Sequence, residues 1–303
     1  MIYKSKIYAE SWNIAIRKKK EILFDTETPF NIIKNPFRYW IADPFLFEYK
    51  KKVYIFAEMY DYLRRRGVIG YATINNGQVS KWTPVIVEPY HLSYPFIYEE
   101  KGEIFIIPES GANRSLDVYR AVEFPNKWKK LTHLREGKKY ADTTLLQKDA
   151  LKYGITYDVS DVQHMQVCLL DFIDNQDVCL EMDEIEKRRP AGKFFQIGDS
   201  LYRPAQNCVA GYGKGLIIYQ VTSVEYGNYS EKQIRELFPT DLAYSGKLFL
   251  DGVHTYNQCE NYEIIDIKTR RFNIMNLFSR IYGKIDERVR KCFRGNKKYE
   301  NNC

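Results

Sequence analysis

The stretch ADPFLFEYKKKVYIFAE at residues 42–58 decides the fold, because it reads as two apolar strands joined by a charged turn. The pattern returns as SYPFIYEEKGEIFIIPE at residues 93–109. Glu58 follows Asp43 by 15 residues, and Glu109 follows Tyr94 by the same distance. Two hairpins that match this closely in one chain indicate a repeat architecture.

Three further segments share the pattern, and together the five units have a regular period. These segments are ADTTLLQKDALKYGITYD (141–158), YRPAQNCVAGYGKGLIIYQV (202–221) and VHTYNQCENYEIIDIK (253–268). The leading residues of the five units are Asp43, Tyr94, Asp142, Arg203 and His254, which lie 51, 48, 61 and 51 residues apart. A period of about 50 residues fits four short strands with their turns, so the sequence predicts an all-β, five-bladed β-propeller. The alternative is a β-sandwich, which has turn signals every 8–12 residues but no longer period.

The segments between the hairpins allow four local predictions. Residues 6–20 are predicted to form a strand that joins the last blade to the first and removes an open sheet edge. Residues 183–200 read as a polar loop that accounts for the long third spacing. Residues 229–238, YSEKQIRELF, are predicted as a short helix, with Ser230 and Gln233 placed as a capping box. The glycines of GYGKG at 211–215 are interpreted as a hairpin turn rather than a phosphate loop, since no helix follows them.

The chain is divided into a propeller at residues 1–272 and a basic amphipathic helix or tail at residues 273–303. Apolar residues recur at helical spacing between Ile274 and Phe293. From Arg280 onward, the sequence contains 8 Lys or Arg and 3 Asp or Glu, so this tail carries +5 of the net charge of +7. The helix either packs on the side of the propeller or lies on an anionic membrane surface.

Composition excludes several classes of protein. The nearly neutral body argues against a nucleic-acid surface spread over the fold. Six cysteines without a CxxC pair are interpreted as reduced thiols rather than as a disulfide framework or a zinc site. The first residues resemble no secretory signal, and no run of 18 apolar residues occurs. We therefore expect a cytoplasmic protein that is peripheral at the inner face of the membrane if the tail binds there.

The repeat register predicts a functional site at one mouth of the central channel. The first strand of each propeller blade lines that channel, so the five leading residues should surround one mouth, together with Glu58, Glu109 and His91. Four carboxylates then share a partly desolvated pocket, and they cannot all keep their ordinary pKa values. One protonated acid and one carboxylate are the groups that glycosidic chemistry requires. The structural alternative is that Asp43 and Asp142 shape strand entries while Arg203 neutralises them in a buried ion network.

Five stretches of the sequence together resemble the propeller domain at the N-terminus of glucosamine inositolphosphorylceramide transferases. They are YWIADPFLF, HLSYPFIYEEKGEIFIIPESGANRSLDVYRA, ADTTLL, LYRPAQN and GVHTYN. That domain is similar to the five-bladed propellers of arabinanases, levansucrases and invertases, in which three acidic residues act as base or nucleophile, orienting carboxylate and general acid. The resemblance implies that Asp43 is the base or nucleophile. Glu109 is the nearest acid for the second-blade position, where Tyr94 stands in place of Asp. Asp142 holds the third-blade position in place of Glu.

The sequence leaves three functions open. The first is an enzyme of cell-surface polysaccharide biosynthesis that forms or rearranges glycosidic bonds by glycosyl transfer, with a sugar, nucleotide-sugar or glycan as ligand. The second is a glycoside hydrolase of the arabinanase type, and the third is a non-catalytic propeller that binds a glycan for a partner. The predicted substrate-binding residues are Glu58, His91, Tyr94, Arg203, Gln206, Asn207 and His254. No cofactor or metal is predicted, although converging oxygen ligands are a set that Ca²⁺ could use.

Overall fold

A computed structural model describes residues 8–20, 25–148, 151–172, 174–225, 228–246, 250–272, 274, 275 and 278. These residues form five small, mainly antiparallel sheets, four of which follow one another along the chain while the fifth combines its first and last strands. The fold is an all-β propeller with five blades, as the repeat predicts. Most of the helix predicted after residue 273 lies outside the described residues.

The first two strands of the chain belong to the last blade. They are β1 (Tyr8–Lys18) and β2 (Phe30–Ile32). β1 pairs along its whole length with the last strand that the structure describes, Tyr262–Phe272, in register from Tyr8 opposite Phe272 to Lys18 opposite Tyr262. The predicted closing strand is therefore confirmed, and it covers an edge that would otherwise be open.

Blades one to three have the same plan, a strand order that follows the chain outward from the axis. Blade one contains β3 (Tyr39–Tyr49), β4 (Lys52–Asp61), β5 (Arg66–Asn75), β6 (Gln78–Val79) and β7 (Thr83–Ile86). Blade two contains β8 (Ser93–Glu100), β9 (Glu103–Glu109), β10 (Ser115–Glu123) and β11 (Lys127–Glu136). Blade three contains β12 (Tyr140–Lys148), β13 (Leu151–Asp158), β14 (Gln166–Asp171) and β15 (Asp177–Leu180).

Blades four and five complete the ring. Blade four contains β16 (Phe195–Ile197), β17 (Ser200–Asn207), β18 (Gly215–Glu225) and β19 (Asn228–Leu237). Blade five adds β20 (Tyr244–Ser245), β21 (Leu250–Gly252), β22 (Tyr256–Gln258) and β23 (Tyr262–Phe272) to β1 and β2. Within the described ranges, single 3₁₀ turns occur at Gly111–Asn113, Ile185–Lys187 and Pro239–Asp241.

The core lies between neighbouring blades, where alternate side chains of each sheet are buried. Phe45 and Phe56 of blade one pack with Tyr94 and Ile97 of blade two in one apolar cluster. Similar clusters join the other blades and together form the hydrophobic core. Because the blades are held face to face in this way, the inner strands are fixed around the axis.

Two local predictions for blade four are wrong. The segment 229–238 is the outer strand β19 rather than a helix, and it pairs with β18 over most of its length. Residues 183–200 are not simply a loop, because they include β16, the first strand of the blade. Arg203 therefore lies on the second strand, and the fourth repeat begins near Pro190, which forms a bridge with Ala205. The turn predicted at GYGKG is confirmed between β17 and β18.

Candidate active site at the channel mouth

One backbone feature recurs at the start of blades one, two and three. Asp43, Tyr94 and Asp142 have φ values of 49°, 44° and 53°, in the left-handed region that residues other than glycine rarely adopt. Each lies in a bulge where the inner strand departs from regular pairing with the second strand. A bulge turns a side chain away from the direction that the pleat dictates, and such backbone strain is concentrated at functional sites.

Asp43 is the buried carboxyl group at the centre of the mouth. Its Oδ1 accepts a hydrogen bond from Thr255 Oγ1 at 2.9 Å, and its Oδ2 accepts one from the Tyr94 amide at 3.2 Å. Burial raises the pKa of Asp43 to about 6, against the opposing effect of the His254 charge. Asp43 is therefore largely ionised at neutral pH but takes up a proton under mildly acidic conditions.

His254 lies between Asp43 and a carboxylate that the sequence analysis missed, Asp266. His254 Nδ1 is 2.6 Å from Asp266 Oδ2, and His254 Nε2 is 3.6 Å from Asp43 Oδ1. Burial alone would lower the pKa of His254, but the negative charge of Asp266, with that of Asp43, raises it above the ordinary value. Asp266 lies on β23, the second strand after His254, and the pairing of β22 with β23 brings it back beside His254.

On the other side of the mouth, Glu109 and Asp142 share one guanidinium group. Arg189 Nε is 2.5 Å from Asp142 Oδ2, and Arg189 Nη2 is 3.4 Å from Glu109 Oε2. Burial and the neighbouring charge of Asp142 raise the pKa of Glu109 to about 8, although Arg189 opposes this shift. Gln206 Nε2 donates to the same Asp142 oxygen at 2.7 Å, as expected for a residue of the site. Asp142 is therefore held by two side chains, whereas Glu109 retains a proton at neutral pH.

Glu58 and His91 form a further pair at the edge of the same cluster. The Gly67 amide donates to His91 Nδ1 at 2.9 Å, so the other nitrogen, Nε2, carries the proton that faces Glu58 Oε1 at 3.3 Å. Burial, followed by the charges of Asp43 and Glu109, raises the pKa of Glu58 well above its ordinary value. A Cβ on Gly67 would lie 2.3 Å from the Leu92 carbonyl oxygen and 2.5 Å from Glu58 Oε1, so a glycine is needed where the backbone passes between them.

Three predicted ligand-binding residues do not reach the mouth with their side chains. Tyr94 is fully buried, and its hydroxyl bonds to Thr144 and to the Gly192 amide. Arg203 is fully buried as well, and it forms two hydrogen bonds with Glu231. Arg203 and Gln206 are three residues apart on a regularly paired strand, so their side chains point to opposite faces of the sheet.

Asn207 is also directed elsewhere. It donates to Glu236 and accepts a hydrogen bond from the Val209 amide, so it shapes the start of the loop after β17. The positions predicted for Tyr94, Arg203 and Asn207 are corrected accordingly. The misplaced fourth repeat explains the error for Arg203, because the prediction put it on an inner strand.

A tyrosine that the sequence analysis passed over lies beside the acids. Tyr212 is 47% exposed, and its ring centre is 5.2 Å from that of His254. The guanidinium carbon of Arg189 lies 5.1 Å from the Tyr212 ring centre. The available sequence signal was the GYG triplet itself, an aromatic residue between two glycines in a loop.

Asp43, His254 and Asp266 each bring a potential metal ligand within 4.8 Å of the others. Both carboxylate oxygens of Asp266 already accept hydrogen bonds from protein groups. Asp266 Oδ1 accepts the amides of His254 and Thr255, and its Oδ2 accepts the amide of Asp43 and the His254 ring. The cluster is therefore a hydrogen-bonded network in which Asp266 orients His254 and the backbone of Asp43.

The sequence was compared with protein-family models. The model described as "Glucosamine inositolphosphorylceramide transferase 1, N-terminal" matches residues 31–257. The chain belongs to this family. The match includes all the acids of the mouth except Asp266, together with Arg189 and Tyr212.

Two plant members of the glucosamine inositolphosphorylceramide transferase family show how much of a longer protein this chain represents. Glucosamine inositolphosphorylceramide transferase 1 of Oryza sativa subsp. indica is 28% identical in an alignment of 205 residues. The alignment covers 63% of this chain and 27% of the plant protein. The protein of the same name from Arabidopsis thaliana is 28% identical over 233 residues, 72% of this chain and 30% of its own length. The chain thus spans less than a third of these curated relatives.

Solved structures with the same fold include two arabinofuranosidases. The catalytic domain of the Coprinopsis cinerea GH62 α-L-arabinofuranosidase superposes with a TM-score of 0.57 at 10% identity, covering 76% of this chain and 90% of that one. The α-L-arabinofuranosidase PaAbf62A of Podospora anserina, in complex with cellotriose, gives 0.56 at 9% identity with the same coverage. At such low identity, these similarities show that this family member has their propeller fold.

Among the described residues, we find no helix of the length and apolarity that crossing a membrane requires.

Proposed function

We propose that this chain is a carbohydrate-active domain that transfers a glycosyl group at the channel mouth. The observation that carries the proposal is the pair of unequal carboxyl groups, Asp43 with a pKa of about 6 and Glu109 with a pKa of about 8. At neutral pH the first is a base or nucleophile and the second is a protonated acid, the two forms that cleavage or formation of a glycosidic bond requires.

The contacts support different parts for the three acids. Glu109 donates its proton to the leaving oxygen, and Asp43 acts on the anomeric carbon or on the attacking hydroxyl group. Asp142 is fixed by Arg189 and Gln206, so it orients the sugar instead of exchanging a proton. The resemblance implied an acid role for the third-blade position, and the ion pair with Arg189 leads us to propose the orienting role for Asp142.

We favour transfer over hydrolysis because the cytoplasmic location expected from the sequence suits transfer from an activated sugar; the family name does not decide this, since the chain spans less than a third of its plant relatives. A hydrolase would use the same acid and base with water as acceptor, so the reaction products distinguish the two. The cytoplasmic location and binding of an anionic membrane by residues 273–303 are likewise proposals, and they rest on composition and charge.

A non-catalytic sugar-binding propeller is the second candidate. It is favoured by the fixed geometry around Asp142, whose Oδ2 already receives two side-chain donors. A pocket that only binds has no need of a protonated Glu109 beside an ionised Asp43. The two candidates therefore differ in what the loss of one proton-exchanging group does.

The test begins with a thermal-shift screen of nucleotide sugars and oligosaccharides, followed by turnover assays with those that bind. A ligand at 100 times its Kd stabilises the native state by about 2.7 kcal/mol. We expect Asp43→Asn and Glu109→Gln each to lower kcat by about 10²–10⁴-fold while ligand binding persists. We expect wild-type kcat/KM to rise near pH 6 and fall near pH 8, following the two carboxyl groups.

The control is Glu103→Gln, an exposed carboxylate at the other end of the strand that carries Glu109. It should leave kcat and the pH profile unchanged. Full turnover by both Asp43→Asn and Glu109→Gln would exclude the catalytic assignment. A ligand that binds tightly but is never converted, with any acceptor or water, would favour the binding propeller instead.

A further inference from the structure

The loop at 208–214 places an exposed aromatic ring beside the acids by means of its glycines. Gly211 and Gly213 flank Tyr212 and have φ values of +121° and +66°. A Cβ on Gly213 would lie 2.8 Å from Trp12 Cη2 and 3.2 Å from His254 Cβ. Only glycine lets the chain turn at this point and pass so close to Trp12 and His254.

The orientation of the Tyr212 ring is fixed by three neighbours. It is nearly perpendicular to the His254 ring at 89°, and its centre lies 6.4 Å from that of Trp12, which stacks on His254 at 3.9 Å. Arg189 packs against the ring as a cation–π partner. A ring that is held on these sides yet remains 47% exposed is preorganised for contact with a ligand.

The charges around the ring restrict what it can contact. Asp43, Glu58, Glu109 and Asp142 gather at this mouth, and Arg189 is already engaged by Asp142 and Glu109. Among the described residues, the basic side chains that contact the ring, Arg189 and His254, are both engaged by carboxylates, so an anionic sugar would meet the negative charges of Asp43 and Asp142 without an unpaired basic partner. The C–H surface of a neutral sugar, in contrast, packs well on an aromatic ring.

We propose that the exposed surface of Tyr212 is the stacking platform for an uncharged sugar ring at the mouth. This inference rests on the proposed function, because it requires a carbohydrate there. It adds the position of the sugar. A ring on Tyr212 lies next to Arg189, and Arg189 contacts both Glu109 and Asp142. The platform therefore presents the glycosidic oxygen to the acid side of the site.

The platform is tested by saturation-transfer-difference NMR and titration calorimetry with methyl β-glucoside, cellotriose and xylotriose. Methyl β-glucuronide serves as the anionic counterpart of the first probe. We expect Tyr212→Ala to weaken binding of a neutral probe about tenfold, and Tyr212→Phe to bind as wild type does, since the ring and not the hydroxyl makes the contact. The transferred signal should be strongest on sugar C–H protons, and the glucuronide should bind more weakly than the glucoside.

Phe238→Ala is the matched control, since Phe238 is a similarly exposed ring, at 39%, just beyond the end of the outer strand of the same blade. Its binding should equal that of wild type. Equal binding by Tyr212→Ala and Tyr212→Phe would overturn the platform, as would binding of none of the neutral probes or preference for the glucuronide. Asp43→Asn separates the two proposals. Unchanged turnover in that variant, together with weakened binding by Tyr212→Ala, would contradict the catalytic function and support the platform.

Discussion

At the scale of single residues, burial gives the carboxyl groups of the mouth different affinities for protons. Glu109 is only partly covered, with a side chain that is 21% exposed, yet its neighbour Asp142 raises its pKa further. Asp43 is almost fully buried, but hydrogen bonds and the nearby His254 limit its shift. Two carboxyl groups with similar ordinary pKa values therefore acquire different roles from their surroundings, as catalysis with two carboxyl groups requires.

These shifts predict how stability depends on pH. The pKa of Glu109 is higher in the folded chain, about 8, than its ordinary value of 4.5, so its contribution to stability is present below pH 4.5 and lost as the pH rises to 8. Over this pH range, the free energy of unfolding of Glu109→Gln should therefore increase relative to that of wild type, by at most about 1.4 kcal/mol for each pH unit. Denaturant titrations at several pH values measure the difference.

Asp43→Asn is the internal comparison for that measurement. Its gain over wild type should stop growing near pH 6, because Asp43 titrates at about 6 in the folded protein. A difference between Glu109→Gln and wild type that stays constant from pH 4.5 to 8 would show that the pKa of Glu109 is not raised.

At the scale of the structural element, β19 shows where local sequence signals mislead. YSEKQIRELF has the charge and capping pattern of a helix, yet it forms the outer strand of blade four. The deciding interaction is distant in sequence. Glu231 accepts two of the three hydrogen bonds that the Arg203 side chain donates from β17, and the two side chains are completely buried. In the strand conformation, the Glu231 side chain lies on the same sheet face as Arg203. The secondary-structure propensities of residues 229–238 contain no information about this contact.

We therefore predict strong coupling between Arg203 and Glu231. Glu231→Leu alone leaves a buried guanidinium without its partner and should destabilise the fold by about 3–5 kcal/mol. The double variant Arg203→Met with Glu231→Leu should recover part of this loss, because two apolar side chains need no counter-charge, whereas Arg188 and the Tyr229 hydroxyl still lose Glu231 as their acceptor. Urea unfolding of the single and double variants gives the coupling energy, and additive losses would contradict the prediction.

The same scale explains which site residues could be found from sequence. The spacing of the hairpins gives the repeat register, and this register predicted which residues lie at the mouth. They are Asp43, Glu58, Glu109, Asp142 and His254. Arg189 and Asp266 were missed because neither lies at a repeat position. Arg189 comes from the irregular entry to blade four, and Asp266 reaches His254 only through the pairing of β22 with β23. The spacing of the repeats predicts the positions of residues that obey the repeat symmetry. It gives no information about side chains that depart from that symmetry.

At the scale of the whole molecule, the ring depends on closure by the N-terminal strand. The period of the hairpins was sufficient to predict five blades, and residues 6–20 were the remaining strand-like segment available to close them. In the structure, β1 pairs with β23 over eleven positions and buries Ile14 between the sheets. Arg17 of the same strand forms a buried ion pair of 2.7 Å with Glu263. The strand thus contributes an edge partner, core packing and a charge to the last blade.

Closure by β1 predicts that the strand can be supplied as a separate molecule. A chain without residues 1–20 should lose its cooperative thermal transition or melt at least about 10 °C lower, because β23 loses its edge partner and Glu263 its counter-charge. A synthetic peptide of residues 6–20 should raise the melting temperature in a concentration-dependent manner, as expected for a ligand of the native state. The same peptide with Ile14→Asp should not, since Ile14 is fully buried against the sheets. Calorimetric scans of the truncated chain with each peptide give the answer, and a truncated chain as stable as the full one would show that the propeller closes by another route.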